Sequence, residues 1–306
     1  MRADRRTLLL GAGALTLTLA LAACSREVKS AETDLDADMA ADGAALDLDL
    51  SDLEARHGGR LGLAVASAGV NAAWRGDERF VYCSTFKMYL AAATLLRVQA
   101  GQERLDRAIP ITAADMINHA PTTEPAVGST LTVEQLMKAT VELSDNPAAN
   151  ILIREMGGLE ALRAFYRGIG DDSTRVDRLE PEMNRADGDK DTITPIQSVQ
   201  NISRLLVSPE TPLNAASKAL LMRWMIDTPT GQGRIKAGVP AGWAVAHKTG
   251  TGGYGPTNDI GLIQPPAGAP IVIAVYFHAT RDSTDAQREA VIADATRLAL
   301  KALGHG

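Results

Sequence analysis

Ser84 and Lys87 lie three residues apart inside the apolar run VYCSTFKMYL, residues 81–90. A lysine in such a run costs free energy to desolvate unless it is paired or its charge is suppressed. A helix end with a snorkelling side chain would accommodate it. So would a seryl nucleophile, because a hydroxyl attacks poorly until a neighbour takes its proton, and a desolvated lysine or a carboxylate acting through water can do that. A serine in the first turn of a helix sits at the positive end of the helix dipole, and a lysine at i+3 shares its face. About one S-x-x-K is expected by chance in a chain of this composition, so the pair needs support from elsewhere.

Three further stretches offer it. LSDNPAAN supplies Ser144, Asp145 and Asn146 between two helical segments. An ordinary turn with a helix cap would use the same residues; a chemical reading has Ser144 pass a proton to a leaving nitrogen and Asn146 bond a substrate amide. HKTGTGGYG places Lys248, Thr249 and Thr251 on a strand running into glycines. Alternation at period two sends both threonines to one face, where hydroxyls beside a cation suit a carboxylate. In RLEPEMN, Glu180 and Asn184 are four apart, so one helical turn would let them hold a single water. That arrangement has no use in simple acylation and a direct one in hydrolysis. Glu180 precedes Pro181, which raises the chance of a cis peptide.

Other chemistries find little material. The five histidines are scattered, and the chain has no H-E-x-x-H, no C-x-x-C and no phosphate-binding glycine loop before a helix. No metal and no cofactor is expected. The two cysteines are Cys24 and Cys83, and Cys83 reads as a small buried hydrophobe.

These groups need elements to hold them. Helical signals dominate from about residue 81 to 225: a segment opening at Ser84 and stopping at Gly101, a Thr132/Gln135 capping box, and a helix with Pro147 in its first turn that ends at Gly157. Strand signals lie on either side, in RLGLAVASAG, GWAVAHKTGT, NDIGLIQP and APIVIAVYFHA. A short helix with Ser51 as N-cap precedes them, and a long helix closes the chain. The expected fold is α/β: an antiparallel sheet layer formed by both termini (about 48–80 and 226–306) with flanking helices, plus an all-helical inserted domain (about 81–225). A cleft between the two parts is the natural ligand site.

The 306 residues carry a net charge of −6, and much of it is local. Residues 25–50 hold eight acids against Arg26 and Lys29, are rich in alanine and carry no aromatic side chain, which describes a solvated tether over 24–47. The remaining body is near neutral and has no basic face for nucleic acid. Residues 1–23 read as an export signal: a basic start, an uncharged apolar stretch, and DRRTLLL resembling a twin-arginine motif around Arg5 and Arg6. LAAC, ending at Cys24, resembles a lipobox, which predicts lipidation at Cys24 and a membrane-tethered periplasmic protein. Monomer is the expected state.

Taken together and in chain order, S-x-x-K, S-D-N, E-P-E-M-N and K-T-G resemble the class A serine β-lactamases over nearly all of residues 48–304. The resemblance implies a β-lactamase/D,D-peptidase-like fold and hydrolysis of penicillins and cephalosporins through an acyl-enzyme. By it, Ser84 is the acylated nucleophile, Lys87 or Glu180 takes its proton, Ser144 relays a proton to the β-lactam nitrogen, and Glu180 with Asn184 activates the deacylating water. Backbone N–H groups of Ser84 and Thr251 form the oxyanion hole. Lys248, Thr249 and Thr251 bind the substrate carboxylate, with Arg234 or Arg288 as the additional arginine, while Thr257 stands at a third position that often holds one. His119 stands where an aromatic often walls the cleft. The loop carrying Glu180 is shorter than is usual between Arg178 and Asp191, the family's closing ion pair. GGYGPTNDI and Cys83 are similar to the cefotaxime-hydrolysing branch; Thr251 with Arg234 resembles the serine carbapenemases, but Gly252 replaces the cysteine that would bond Cys83 there. A penicillin-binding D,D-peptidase shares every group except the Glu180/Asn184 water site. A non-hydrolysing sensor domain would also lack a use for that site.

Overall fold

The structure, a computed structural model, describes residues 44–253, 255–280 and 282–305. The export signal and Cys24 lie outside them. In chain order the elements are β1 (Ala44–Leu46), α1 (Ser51–His57), β2 (Arg60–Ser67), β3 (Val70–Trp74), β4 (Phe80–Val81) and α2 (Phe86–Gln99). Next come β5 (Ala108–Pro110), β6 (Thr130–Thr132), α3 (Val133–Glu142), α4 (Asn146–Met156), α5 (Leu159–Gly168), β7 (Thr192–Ile193), α6 (Pro195–Ile202) and α7 (Ala215–Asp227). The chain closes with α8 (Ile235–Gly238), β8 (Ala244–Thr251), β9 (Pro256–Gln264), β10 (Ile271–His278) and α9 (Asp285–Ala302).

Strands from both ends form one sheet in the order β1-β3-β2-β10-β9-β8. Its central strand, IVIAVYFH, is apolar along its whole length because both of its faces are covered. Val272, Ala274 and Tyr276 pack into the core shared with the helical block. Ile271, Ile273, Val275 and Phe277 pack with α9 and α1 on the other side. The period-two split of one strand therefore serves two cores.

Local signals set most of the boundaries. The Thr132/Gln135 box caps α3, Thr284 and Gln287 cap α9 in the same manner, and Gly157 ends α4 in the left-handed conformation. Three expectations need correction. The sheet is not wholly antiparallel: β1 runs parallel to β3, because the chain reverses once through α1 and again at the β2–β3 turn. That strand lies within the stretch read as tether, so ordered chain begins before residue 48. Ser51 is the first helical residue of α1 rather than its cap; Leu50 holds that place, and Asp49 Oδ1 accepts from Ser51 N at 2.8 Å.

Candidate active site

The nucleophile candidate sits in a 3-10 turn, Cys83–Thr85, immediately before α2. Ser84 therefore stands before the α-helix rather than in its first turn, with Thr85 at the cap position. Cys83 has φ +48°, a left-handed conformation that costs a non-glycine residue about 1–3 kcal/mol. The turn is held from below: Asn258 Nδ2 donates to Val81 O and Tyr82 O at 2.9 and 3.2 Å. Gly250 of the K-T-G motif lets β8 come close, since a Cβ there would lie 2.6 Å from Tyr82 O.

Lys87, the second residue of α2 and three on from Ser84, is fully buried. Its Nζ donates to Ser144 O at 2.7 Å and Asn146 Oδ1 at 2.5 Å, with Ser144 Oγ at 3.4 Å. The S-D-N turn meets it because Asp145 ties that turn down. This buried carboxylate accepts from Ala148 N at the start of α4 and from Thr122 N, Thr123 N and Thr123 Oγ1. Ser144 is left at φ +58°, aimed at the lysine.

Glu180 completes the centre. Its Oε1 lies 3.0 Å from Lys87 Nζ and accepts from Ser84 Oγ at 3.3 Å, and its Oε2 accepts from Asn184 Nδ2. The Glu180–Pro181 peptide is cis, and a 3-10 turn at Glu182–Asn184 brings the amide back to the carboxylate. The shortened loop is closed: Arg178 Nε and Asp191 Oδ2 are 2.6 Å apart, and Asp191 Oδ1 also accepts from Tyr82 OH. One residue passed over in the sequence clamps the glutamate. Asn150 Nδ2 donates to Glu180 O at 2.9 Å and its Oδ1 accepts from Glu180 N at 3.0 Å. It lies four residues after Asn146 on α4, and that helical spacing was the available signal.

A cleft of about 520 Å³ opens over these groups, lined by Ser84, Ser144, Asn146 and Asn184 on one side and Thr249, Thr251 and Arg234 on the other. His119 walls it, at φ +61° and with Nε2 2.9 Å from Leu143 O. Thr249 Oγ1 meets Thr230 Oγ1 at 3.0 Å, and Arg234 Nη2 donates to Thr251 Oγ1 at 2.8 Å. Lys248 lies fully buried behind them, its Nζ donating to Thr249 O at 3.0 Å. Of the two candidate arginines only Arg234 reaches the cleft. Arg288 is turned away: its Nε donates to Thr257 Oγ1 at 3.1 Å, its remaining donors go to Ser283 and Asp285, and it lines a separate hollow with Arg56 and His57. The residue after it, Glu289, is the one whose side chain enters the site.

Burial dominates the electrostatics. It pulls Lys87 below the usual lysine range, opposed chiefly by the Glu180 carboxylate beside it. Lys248 is pulled well below that range by burial and by the charge of Lys87. Burial likewise drives the Cys83 thiol upward, which keeps it protonated and inert. With glycine at 252 the thiol has no cysteine there to bond, its Sγ lies 3.9 Å from Asn184 O, and a Cβ at 252 would come within 2.3 Å of the same oxygen. Among the described residues no three His, Cys, Asp or Glu side chains are grouped to hold a metal. A hydroxyl and an amine of lowered basicity thus both contact one carboxylate, with a second hydroxyl beyond the amine, which is the equipment for proton-coupled acyl transfer.

Comparison with known proteins identifies the family. Residues 45–303 match the model of the β-lactamase enzyme family. The chain is 40% identical over 259 residues to β-lactamase OXY-2 of Klebsiella oxytoca, covering 83% of this chain and 88% of that protein. It is 39% identical over 250 residues to β-lactamase CTX-M-8 of Citrobacter amalonaticus, covering 80% and 85%. Among solved structures it resembles an ancestral (GNCA) class A β-lactamase, with TM-score 0.78, 49% identity and coverage of 83% and 98%. A β-lactamase from Xanthomonas campestris pv. campestris gives TM-score 0.79 at 40% identity, with coverage of 83% and 96%. With its fold, its cleft and these relatives in agreement, the chain belongs to the class A serine β-lactamases, enzymes that hydrolyse β-lactams and confer antibiotic resistance.

Proposed function

We propose that this enzyme hydrolyses penicillins and cephalosporins through an ester on Ser84. The observation that carries this reading is the position of the Glu180 carboxylate, in contact with Ser84 Oγ, Lys87 Nζ and the Asn184 amide together. Ser84 Oγ attacks the ring carbonyl carbon and its proton passes to Lys87 or Glu180. The carbon–nitrogen bond breaks, and the nitrogen takes a proton by way of Ser144, whose hydroxyl lies 3.4 Å from Lys87 Nζ. Water bound between Glu180 and Asn184 then attacks the ester; Glu180 takes the water's proton and the Ser84 oxygen leaves protonated. Asn146 bonds the substrate amide, and Thr249, Thr251, Arg234 and Lys248 make the end of the cleft that receives the ring carboxylate.

The test is turnover of benzylpenicillin, cefotaxime and imipenem by the purified protein, with nitrocefin as reporter. Ring-opened product is expected from the first two, and Ser84→Ala should bring nitrocefin turnover to background. A wild-type protein that stays acylated for hours without releasing product would overturn the reading.

The same proposal covers location. The N-terminal motifs support export to the periplasm and a lipid anchor on Cys24, and a monomer is proposed as the state of the exported enzyme. No helix among the described residues is long and apolar enough to cross a membrane.

A further inference from the structure

Glu289 lines the catalytic cleft from α9 and has no part in the acyl-transfer steps. Its Oε1 accepts from Arg234 Nε at 3.1 Å. Its side chain keeps 31% of its exposure, and among the described residues its Oε2 has no hydrogen-bond partner. Gly233 gives it room, since a Cβ there would lie 2.6 Å from Oε2.

The donors of Arg234 show what is left for a ligand. A guanidinium has five N–H groups in a fixed fork. Nε is taken by Glu289, Nη1 by Gly250 O and Asn258 O at 3.1 and 2.8 Å, and one N–H of Nη2 by Thr251 Oγ1. A single Nη2 N–H remains for a substrate carboxylate. Once that carboxylate arrives, two anions face one arginine. Lys248, the other cation at this end, lies fully buried behind Thr249 with its Nζ donating to Thr249 O, and Arg288 is paired with Asp285. Glu289 is thus the partly exposed anion at this end, with one oxygen not engaged by Arg234.

We propose that Glu289 is a specificity-determining residue that favours β-lactams bearing a cationic substituent next to the ring carboxylate, such as cephalosporins with a quaternary nitrogen on the C3 methylene. The inference rests on the proposed placement of the ring carboxylate at Arg234, Thr249 and Thr251. In a cephalosporin, C3 is bonded to the carbon that carries the carboxylate, so a charge on its methylene falls within a few ångströms of Arg234 and of the carboxylate paired with it. An attraction of that range in a half-solvated cleft corresponds to a preference of roughly threefold to tenfold.

Cephalothin and cephaloridine test this. They share the thienylacetyl side chain and differ at C3, acetoxymethyl in the first and pyridinium-methyl in the second. Glu289→Gln keeps an acceptor for Arg234 Nε and removes the charge. The ratio of kcat/KM for cephaloridine over cephalothin should fall about threefold to tenfold in the variant, through KM rather than kcat. The wild-type ratio should move toward that of the variant in 1 M salt, where the screening length is about 3 Å. A general loss through a disturbed Arg234 enters both substrates and cancels in the ratio. Hydrolysis of both substrates with an unchanged ratio overturns the assignment of Glu289 alone. Failure of the wild-type protein to turn over either one overturns the hydrolytic reading and this inference with it.

Discussion

Glu180 sits where three hydrogen-bonding paths cross, and its removal separates the two halves of the reaction. Lys87 and Ser144 stay in place without it, because Nζ keeps its bonds to Ser144 O and Asn146 Oδ1. The deacylating water of the proposed mechanism loses its base. Glu180→Ala should therefore leave a covalent penicillin adduct on Ser84 that intact mass spectrometry detects after mixing; loss of a general base typically costs about 10²–10⁴ in rate. Rapid clearance of that adduct would contradict the assignment. At this scale the residues were readable in the primary structure: Ser84, Lys87, Ser144, Asn146, Glu180, Asn184, Thr249, Thr251 and Arg234 all reach one site, with Lys248 buried directly behind it. Arg288 failed because motif order names a position and not the direction of a side chain. Asn150 was missed because a clamp on another residue's backbone leaves no motif of its own.

At the scale of elements, the edge of β10 beside β2 and β4 contains a titration. His278 stands opposite Arg60 in the ladder, its ring meets Phe80 edge-on at 5.3 Å, and the Arg60 guanidinium lies 3.9 Å over the same ring. Burial, with the Arg60 charge as the smaller cause, lowers His278 from 6.5 to about 4. The folded state thus resists a proton that the unfolded chain accepts. This contribution is complete above about pH 6.5 and is lost as pH falls toward about 4, so stability should rise with pH across that window. His278→Phe should flatten the pH dependence of the unfolding free energy between pH 4 and 6.5, measured by urea titration, by up to about 3 kcal/mol over the window. An unchanged slope would count against a buried neutral imidazole. The capping box of α3 was legible because its signal spans three residues, while the same device on α9 was passed over. The parallel pairing of β1 was not, because it depends on two chain reversals between distant segments.

For the molecule as a whole, the sheet divides two cores and the cleft runs along the seam where β8 meets the turn before α2. The proposed lipid anchor is carried by the motif ending at Cys24, outside the described residues. Expressed as the full chain, the protein should incorporate labelled palmitate and sediment with membranes. Cys24→Ala should abolish the labelling and release active monomer, as sized by light scattering. Unlabelled wild-type protein recovered wholly in the soluble fraction would refute the anchor.

The primary structure alone determined which residues could react and in what order along the chain, because S-x-x-K, S-D-N, E-P-E-M-N and K-T-G are short patterns whose spacing is itself chemical information. It determined the α/β class too, through two hydrophobic periods that a backbone can satisfy in few ways. Only the tertiary structure decided which arginine faces the cleft, that an acid stands beside it, and that Asn150 and the tie between Asp145 and Thr123 hold the reacting groups in place. Those facts belong to contacts between residues tens of positions apart, and distance in space is not written in local pattern.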